Sequence, residues 1–379
     1  MKLGVDASNL RRGGGVTHLV ELLRAADPPA QGFSQVTVWS GRETLRRVAD
    51  RPWLVKSHQA QLDGSLLRRS LWQRFRLSRL AREASCDVLF VPGGLFTGDF
   101  RPMVTVSQNL LPFEWKELRR FGASPMAVKL AILRVAQTRT FRGSEGLVFL
   151  TRYARDAVLR IAKSTAGSNR IIPHGIDERF GRAPRAQSPP QAMDRPIRVL
   201  YVSIIDVYKH QEEVVDAVAA LRASGAPVEL ELVGPAYPPA LKRLEKRLSR
   251  LDPERAFVNY AGAVAYEGLP GWYGAADICV FASSCENLPI ILLEGMRSGL
   301  PIACSNRGPM PEVLGDAGVY FDPESPTDIA RALRALIESP ELRSRLAAAA
   351  FERSLAYSWT RCADETFAYL AEVARGARS

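Results

Sequence analysis

At 379 residues, with 46% hydrophobic and 24% charged residues, the chain has the composition of a folded protein and the length of two or three domains. No apolar run approaches the roughly 18 residues of a membrane span, and Met1–Asp6 reads as a first strand in place of a signal peptide. The formal net charge of +11 is unevenly shared: residues 1–190 hold 31 basic against 15 acidic residues (+16), and residues 191–379 hold 20 against 25 (−5). That asymmetry predicts two domains, the first facing something anionic. The five cysteines (Cys86, Cys279, Cys285, Cys304, Cys362) form neither a CxxC pair nor a zinc pattern, which implies a reduced, cytosolic compartment.

The first half alternates strands and helices. Lys2–Asp6 is a strand, and the loop Arg11-Arg12-Gly13-Gly14-Gly15 leads into a helix at Val16–Ala25. A strand at Val36–Trp39 precedes helical patterns at Arg42–Ala49 and Ser65–Ala84. Strands follow at Asp87–Val91, Met103–Ser107, Gly146–Leu150 and Arg170–Ile172, with helices at Met126–Phe141 and Arg152–Ala162. Between Glu178 and Pro196 the composition shifts to Arg, Ala, Pro, Gln and Ser, the best linker in the chain.

Alternation then restarts. Strands are expected at Arg198–Val202, Glu229–Val233, Ala256–Tyr260, Ile278–Phe281, Ile302–Ala303 and Val319–Phe321. Helices are expected at Glu212–Arg222, Ala240–Ser249, Pro289–Arg297, Thr327–Ile337, Glu341–Leu355 and Thr360–Ala374. The expected fold class is therefore α/β: two Rossmann-like domains facing each other across a cleft at the carboxyl edges of their parallel sheets. The expected boundaries are 1–180, a linker at 181–196, a second domain at 197–357, and a last helix at 358–379 that crosses back to the first domain.

The most informative stretch is Ser283–Gly295, which places Glu286 and Glu294 eight residues apart in an apolar run. Glu286 falls in the loop between a buried strand and a helix opened by Pro289, and Glu294 falls within that helix. A helix N-terminus at the carboxyl end of a parallel strand attracts phosphate, and a neighbouring carboxylate can accept hydrogen bonds from sugar hydroxyls. Spacing alone also allows an inert reading, in which Glu294 pairs with Arg297 and Glu286 is merely exposed.

Four further positions carry chemistry. The Gly13–Gly15 loop can bring backbone N–H groups to an anion or serve as a plain turn. Lys209, after the strand ending at Val202, can neutralise phosphate or lie in solvent. His174, in Pro173-His174-Gly175-Ile176-Asp177, can support a hinge or touch ligand. Gln108 and Asn109, after a first-domain strand, can bind hydroxyls or cap backbone. His18 and His58 have no partner legible in the sequence and are assigned structural roles. No Gly-x-Ser-x-Gly elbow, His-Glu-x-x-His or Asp-x-Asp pair occurs, so a metal-independent site without cofactor is expected.

The order of these residues resembles the retaining glycosyltransferases of family 4, the "group 1" family with the glycosyltransferase B fold. The resemblance runs over nearly the whole chain and is strongest from Ala276-Asp277 through Glu286 and Glu294 to Gly299-Leu300-Pro301 and Met310-Pro311-Glu312-Val313, similar to the family's Glu-x7-Glu signature. Pro173–Asp177, Lys209, Gly262 and Tyr357-Ser358-Trp359 support it. It implies a hexosyltransferase using a nucleotide-sugar such as a GDP- or UDP-sugar and a glycan or lipid-linked acceptor, in cell-surface polysaccharide or glycolipid synthesis. On that resemblance Glu286 lies by the hexose and Lys209 neutralises the leaving diphosphate. Asn287 and Leu288 contact the donor by backbone, Glu294 holds the ribose, Gly262 to Val264 flank the base, and Gly14 and Gly15 approach from the first domain. Gln108, Asn109 and His174 fall on the acceptor side or stay unassigned.

Three positions depart from the family pattern. Ile204 stands where many members have a phosphate-binding arginine, leaving Arg11, Arg12 or Arg307 as substitutes. Asn287-Leu288-Pro289 replaces a glycine-rich loop, and Gln108-Asn109 stands where many have a histidine. A nucleotide-sugar-binding protein without turnover, and a sugar-nucleotide epimerase on the same architecture, are the alternatives. The basic amphipathic segment Ser65–Ala84, with six arginines and one acid, predicts either an anionic membrane surface as partner or a core-facing helix with a solvated arginine face. A cytoplasmic, peripheral membrane location is expected with the first reading. No nucleic-acid-binding module accompanies the charge.

Overall fold

Most strands of the chain are short and rich in Val, Ile, Leu and Phe, and each is followed by a helix or loop, so pairing is parallel and both sheet faces are covered. The structure, a computed structural model, describes residues 1–11, 13–163 and 167–377. It contains β1 (Lys2–Asp6), β2 (Gln35–Ser40), β3 (Leu54–His58), β4 (Val88–Val91), β5 (Met103–Val106), β6 (Gly146–Phe149) and β7 (Ser168–Ile171). These form one seven-stranded sheet in the order β3-β2-β1-β4-β5-β6-β7. A second, six-stranded sheet is built from β8 (Ile197–Val202), β9 (Val228–Val233), β10 (Val258–Gly262), β11 (Ile278–Phe281), β12 (Ile302–Ser305) and β13 (Val319–Phe321), in the order β10-β9-β8-β11-β12-β13.

Two units carry these sheets. The first comprises residues 1–118, 123–175 and 358–379; the second comprises 119–122 and 176–357. The helix Trp359–Gly376 thus belongs to the first unit although the chain reaches it last. It packs on the helix Gly14–Ala25, and its Tyr369 hydroxyl accepts from Leu147 N at 3.2 Å while donating to Ser168 O at 2.7 Å.

One strand, β3, has no counterpart among the elements expected from sequence. It is one of the two edge strands of its sheet, its side chains are half-buried or exposed, and it carries Lys56, Ser57 and His58. Its identity comes from pairing with β2, from Val36↔Leu54 to Ser40↔His58, which no local pattern reveals.

In the second unit, Asp277 holds the stretch before β8. Its carboxylate takes Arg185 Nη2 and Arg195 Nη1, each at 2.6 Å, and Arg198 N at 2.9 Å. Burial pushes this carboxyl up, but the bonds from Arg195 and Arg198 N outweigh burial and hold it below its ordinary value. Arg343, wholly buried, donates to Ile337 O at 2.9 Å and to Gln187 Oε1 at 2.9 Å, fixing the same stretch from the other side.

Gly175 has no alternative in this packing. A Cβ there would lie 2.1 Å from Trp359 N, a backbone atom at the start of the last helix. Gly175→Ala should therefore destabilise the first unit by about 1–3 kcal/mol, seen as a lowered Tm.

Candidate active site

The site of the second unit follows from strand order. β8 lies between β9 and β11, so the loops leaving β8 and β11 run to opposite sides and open a crevice at the topological switch point. Lys209 comes from the loop after β8 and Glu286 from the loop after β11. The Lys209 ammonium forms an ion pair with Glu286 Oε1. Their side chains are 5% and 17% exposed, so both charges are largely withdrawn from water.

The surrounding residues aim the pair. The Lys209 ammonium lies 5.0 Å from the Tyr208 ring centre and 5.6 Å from that of Phe281, a cation–π cradle. The Tyr201 hydroxyl donates to Lys209 O at 2.6 Å. His210 is left-handed, with φ of 55°, and its Nε2 meets Ser284 Oγ at 3.0 Å, while Ser284 N donates to Tyr208 O at 2.9 Å. Sequence reasoning missed Tyr201, Tyr208, His210 and Ser284. Only adjacency to Lys209 and Cys285-Glu286 signalled Tyr208, His210 and Ser284, and nothing local signalled Tyr201, inside β8.

Glu294 occupies the helix Ile290–Arg297, two turns beyond, and is 2% exposed. The inert pairing with Arg297 does not form: Arg297 is salt-bridged to Glu178. Instead the Tyr273 hydroxyl donates to Glu294 Oε2 at 2.9 Å. Burial pushes the Glu294 carboxyl up to about 8, against the pull of hydrogen bonds from Tyr273 and Tyr266. Tyr266 and Tyr273 also escaped the sequence reading, since nothing local to them points at Glu294.

Asn287 and Leu288, both nearly buried, join the two glutamates, and Pro289 caps the helix without an N–H of its own. Gly262 ends β10 with φ of +71°, and no atom lies within 4 Å of where its Cβ would stand, so its surface is open; Val264 follows, half-buried. Arg307 donates to Asp322 Oδ2 at 2.9 Å, and the adjacent Gly308 approaches the backbone of Ser284 and Glu286. The charge of Arg307 is thus engaged by a carboxylate. Arg12 lies outside the described residues.

In the first unit, Gly14 is open on its Cβ side, whereas a Cβ on Gly15 would stand 3.0 Å from Gln108 Oε1. Gly15 and Gln108 therefore meet at the carboxyl ends of β1 and β5. Asn109 Oδ1 accepts from Leu111 N at 3.1 Å, which is the backbone-capping role. His174 is buried, and its Nδ1 lies 2.6 Å from Nδ1 of His18; both rings pack on Trp359. The partner of His18 is thus His174, and that of His58 is Asp63, at 2.7 Å. Cys362 completes a buried trio with the two histidines, its thiol pushed up to about 12 by burial. Burial also drives His18 down to about 3 and His174 well below its ordinary value, so both imidazoles are neutral.

Comparison with known proteins bears on the family and the fold. Residues 185–353 match the family profile "Glycosyl transferases group 1". The chain carries a group 1 glycosyltransferase domain. Two curated relatives are an O-antigen chain mannosyltransferase B of Escherichia coli, 33% identical over 29% of each chain, and a GDP-mannose-dependent alpha-(1-6)-phosphatidylinositol dimannoside mannosyltransferase of Mycobacterium tuberculosis. The latter is 28% identical over 64% of this chain and 62% of its own length. The matches thus span less than two thirds of either relative. Among solved structures, the chain is similar to the sucrose-phosphate synthase of Thermosynechococcus elongatus (TM-score 0.75, 18% identity, 100% of both chains). It is likewise similar to HepE of Anabaena in complex with UDP and glucose (TM-score 0.68, 18% identity, 98% and 100%). The fold of the chain is the glycosyltransferase B fold.

The raised Glu294 value has a definite sign in stability. Below the ordinary value of 4.5 the carboxyl is protonated in folded and unfolded chains alike, and its contribution is complete. As pH rises from there to about 8, the unfolded chain ionises first and stability is lost. Glu294→Gln should remove this dependence, so thermal melts at about pH 5 and about pH 9 should show the variant gaining on the parent at the higher pH.

Proposed function

We propose that the protein is a retaining, metal-independent hexosyltransferase that moves a hexose from a GDP- or UDP-sugar to a glycan or lipid-linked acceptor, in the synthesis of a cell-surface polysaccharide or glycolipid. The observation that carries this reading is the Lys209–Glu286 pair at the switch point of the second sheet, with Glu294 buried on the helix that follows. The group 1 domain and the named relatives, two of them mannosyltransferases, support it.

In this reading the donor diphosphate takes Lys209 away from Glu286. A phosphate competes well for an ammonium held in a low-dielectric, water-poor loop, and the same charge then stabilises the diphosphate as it leaves. A preorganised donor of this kind is worth about 3–4 kcal/mol of barrier. Glu286, released from the lysine, faces the hexose, orienting its hydroxyls and stabilising positive charge at the anomeric carbon. Glu294 is kept uncharged by its surroundings until ribose hydroxyls donate to it, and Asn287 and Leu288 offer backbone N–H groups between the two. Gly262 and Val264 border the base. Within the first unit, Gly14, Gly15 and Gln108 are the residues offered to a ligand. A cytoplasmic location at an anionic membrane face completes the reading, supported by the basic segment Ser65–Ala84.

A nucleotide-sugar-binding role without turnover is favoured by one observation: Ile204 supplies no cation, and Arg307 is engaged by Asp322. Turnover separates the two. Lys209→Met should reduce transfer by about 100-fold or more, and Glu286→Gln should do so while donor binding persists. Glu294→Gln should instead raise the donor Kd with a smaller effect on kcat. Thermal shift against GDP-, UDP-, ADP- and dTDP-sugars should show one donor class raising Tm. A donor that binds with neither transfer nor hydrolysis, across a broad acceptor panel, would leave the binding role standing.

A further inference from the structure

Three stretches far apart in the sequence bring metal-binding side chains to one buried point of the first unit. His18 lies one turn into the helix Gly14–Ala25, His174 lies in the turn after β7, and Cys362 lies in the first turn of the helix Trp359–Gly376. Each offers a nitrogen or sulfur atom, and these atoms all lie within 4.8 Å of one another. Among the described residues this is the one group of three histidine, cysteine or acidic side chains so placed. The three residues are only 2%, 4% and 1% exposed. No zinc pattern is legible in the sequence because each ligand comes from a different element.

The protein alone satisfies the trio poorly. The two Nδ1 atoms, 2.6 Å apart, can share one proton between them. His18 Nε2 is buried and has no hydrogen-bond partner among the described residues. Buried polar atoms are ordinarily paired, and an orphan of this kind calls for an explanation. The Trp359 ring packs on both imidazoles and supplies an apolar shelter. Burial keeps both imidazoles neutral, the form that ligates a metal. Burial also disfavours the Cys362 thiolate, whereas hydrogen bonds from the Thr366 hydroxyl and the Gly175 N–H favour it. Such bonds to a ligand atom are the outer support that metal-bound sulfur and imidazole ordinarily have.

The donor set selects the ion. Two imidazoles and a thiolate exclude magnesium and calcium, which take oxygen ligands, and suit zinc. We propose that His18, His174 and Cys362 bind one Zn²⁺ ion, a structural site that fastens the first helix, the turn after β7 and the last helix to one another. On loading, the thiol proton leaves for solvent, the thiolate and one lone pair from each neutral imidazole bind the ion, and the fourth position is left to water. Tetrahedral bonds of about 2.0–2.1 Å set ligand nitrogens about 3.3 Å apart, so the two rings part by about 0.7 Å if both bind through Nδ1. Zinc has no geometric preference of its own and tolerates such an adjustment. The site lies within the first unit, whereas Lys209 and Glu286 belong to the second, so the ion takes no part in the metal-independent transfer proposed above.

Metal content of the full chain, purified without chelator, is the first test, and about one zinc per chain is expected by plasma mass spectrometry. Stripping with a chelator should lower Tm, and Zn²⁺ but not Mg²⁺ should restore it. Co²⁺ in place of zinc should give visible d–d bands and a thiolate-to-cobalt charge-transfer band, and Cys362→Ser should abolish the latter. Thr366→Val leaves all three ligands in place and should weaken zinc binding by about 10–100-fold. The measurements on the parent chain need no variant to fold, and none of them reads donor chemistry. A parent chain that takes up neither Zn²⁺ nor Co²⁺ overturns the proposal, as does a Tm indifferent to Zn²⁺ after stripping. A charge-transfer band that persists in Cys362→Ser, or copper or iron in the place of zinc, overturns it equally.

Discussion

The second unit is organised around one buried ion pair. Taking an ammonium and a carboxylate out of water costs several kcal/mol each, and their attraction offsets this only where geometry and further bonds are good. Here the geometry rests on strand adjacency, because β8 and β11 are neighbours and their loops leave the sheet at the same edge. The Tyr208 and Phe281 rings, the Tyr201 hydroxyl and the Ser284 contact with His210 then hold Lys209 to Glu286. Such a pair is poorly suited to adding stability and well suited to exchange, since an incoming anion can replace the carboxylate without changing the count of charges the lysine faces.

The two glutamates share a stretch of chain but have different electrostatics. Glu286 is held as a partner to a cation. Glu294 faces two tyrosines and apolar helix neighbours, and desolvation dominates, so its proton is retained near neutrality. One residue is positioned by charge and the other by the absence of charge. Behind both, the Asp277 carboxylate gathers Arg185, Arg195 and Arg198 N and fastens the chain segment that enters the second sheet.

In the first unit the residues that sequence reading placed at a ligand divide by their packing. Gly15 and Gln108 come together, whereas Asn109 caps backbone and His174 is sealed against His18 and Trp359. The histidine motif before the second unit is legible as a motif, but its use is tertiary: the partners come from the first helix and from the last. The helix 66–83 shows the same limit. Its arginines and leucines were visible in sequence, yet the structure adds a π turn at Gln73–Leu77, where Gln73 is buried and donates to the Asp6 carboxylate.

Much of the architecture was determined by the sequence alone. Strands buried on both faces are written as short apolar runs, helices carry their own periodicity and caps, and an ordered set of loop motifs marks a family because each loop must return to the same sheet edge. The linker composition and the uneven charge were equally local properties. Only the tertiary structure decided the edge strand β3, the tyrosines around Glu294, the histidine pair and the failure of Glu294 to meet Arg297. In each case the deciding partner lies far along the chain or on a neighbouring element, and a hydrogen bond or a buried contact exists only once the fold has brought the two together.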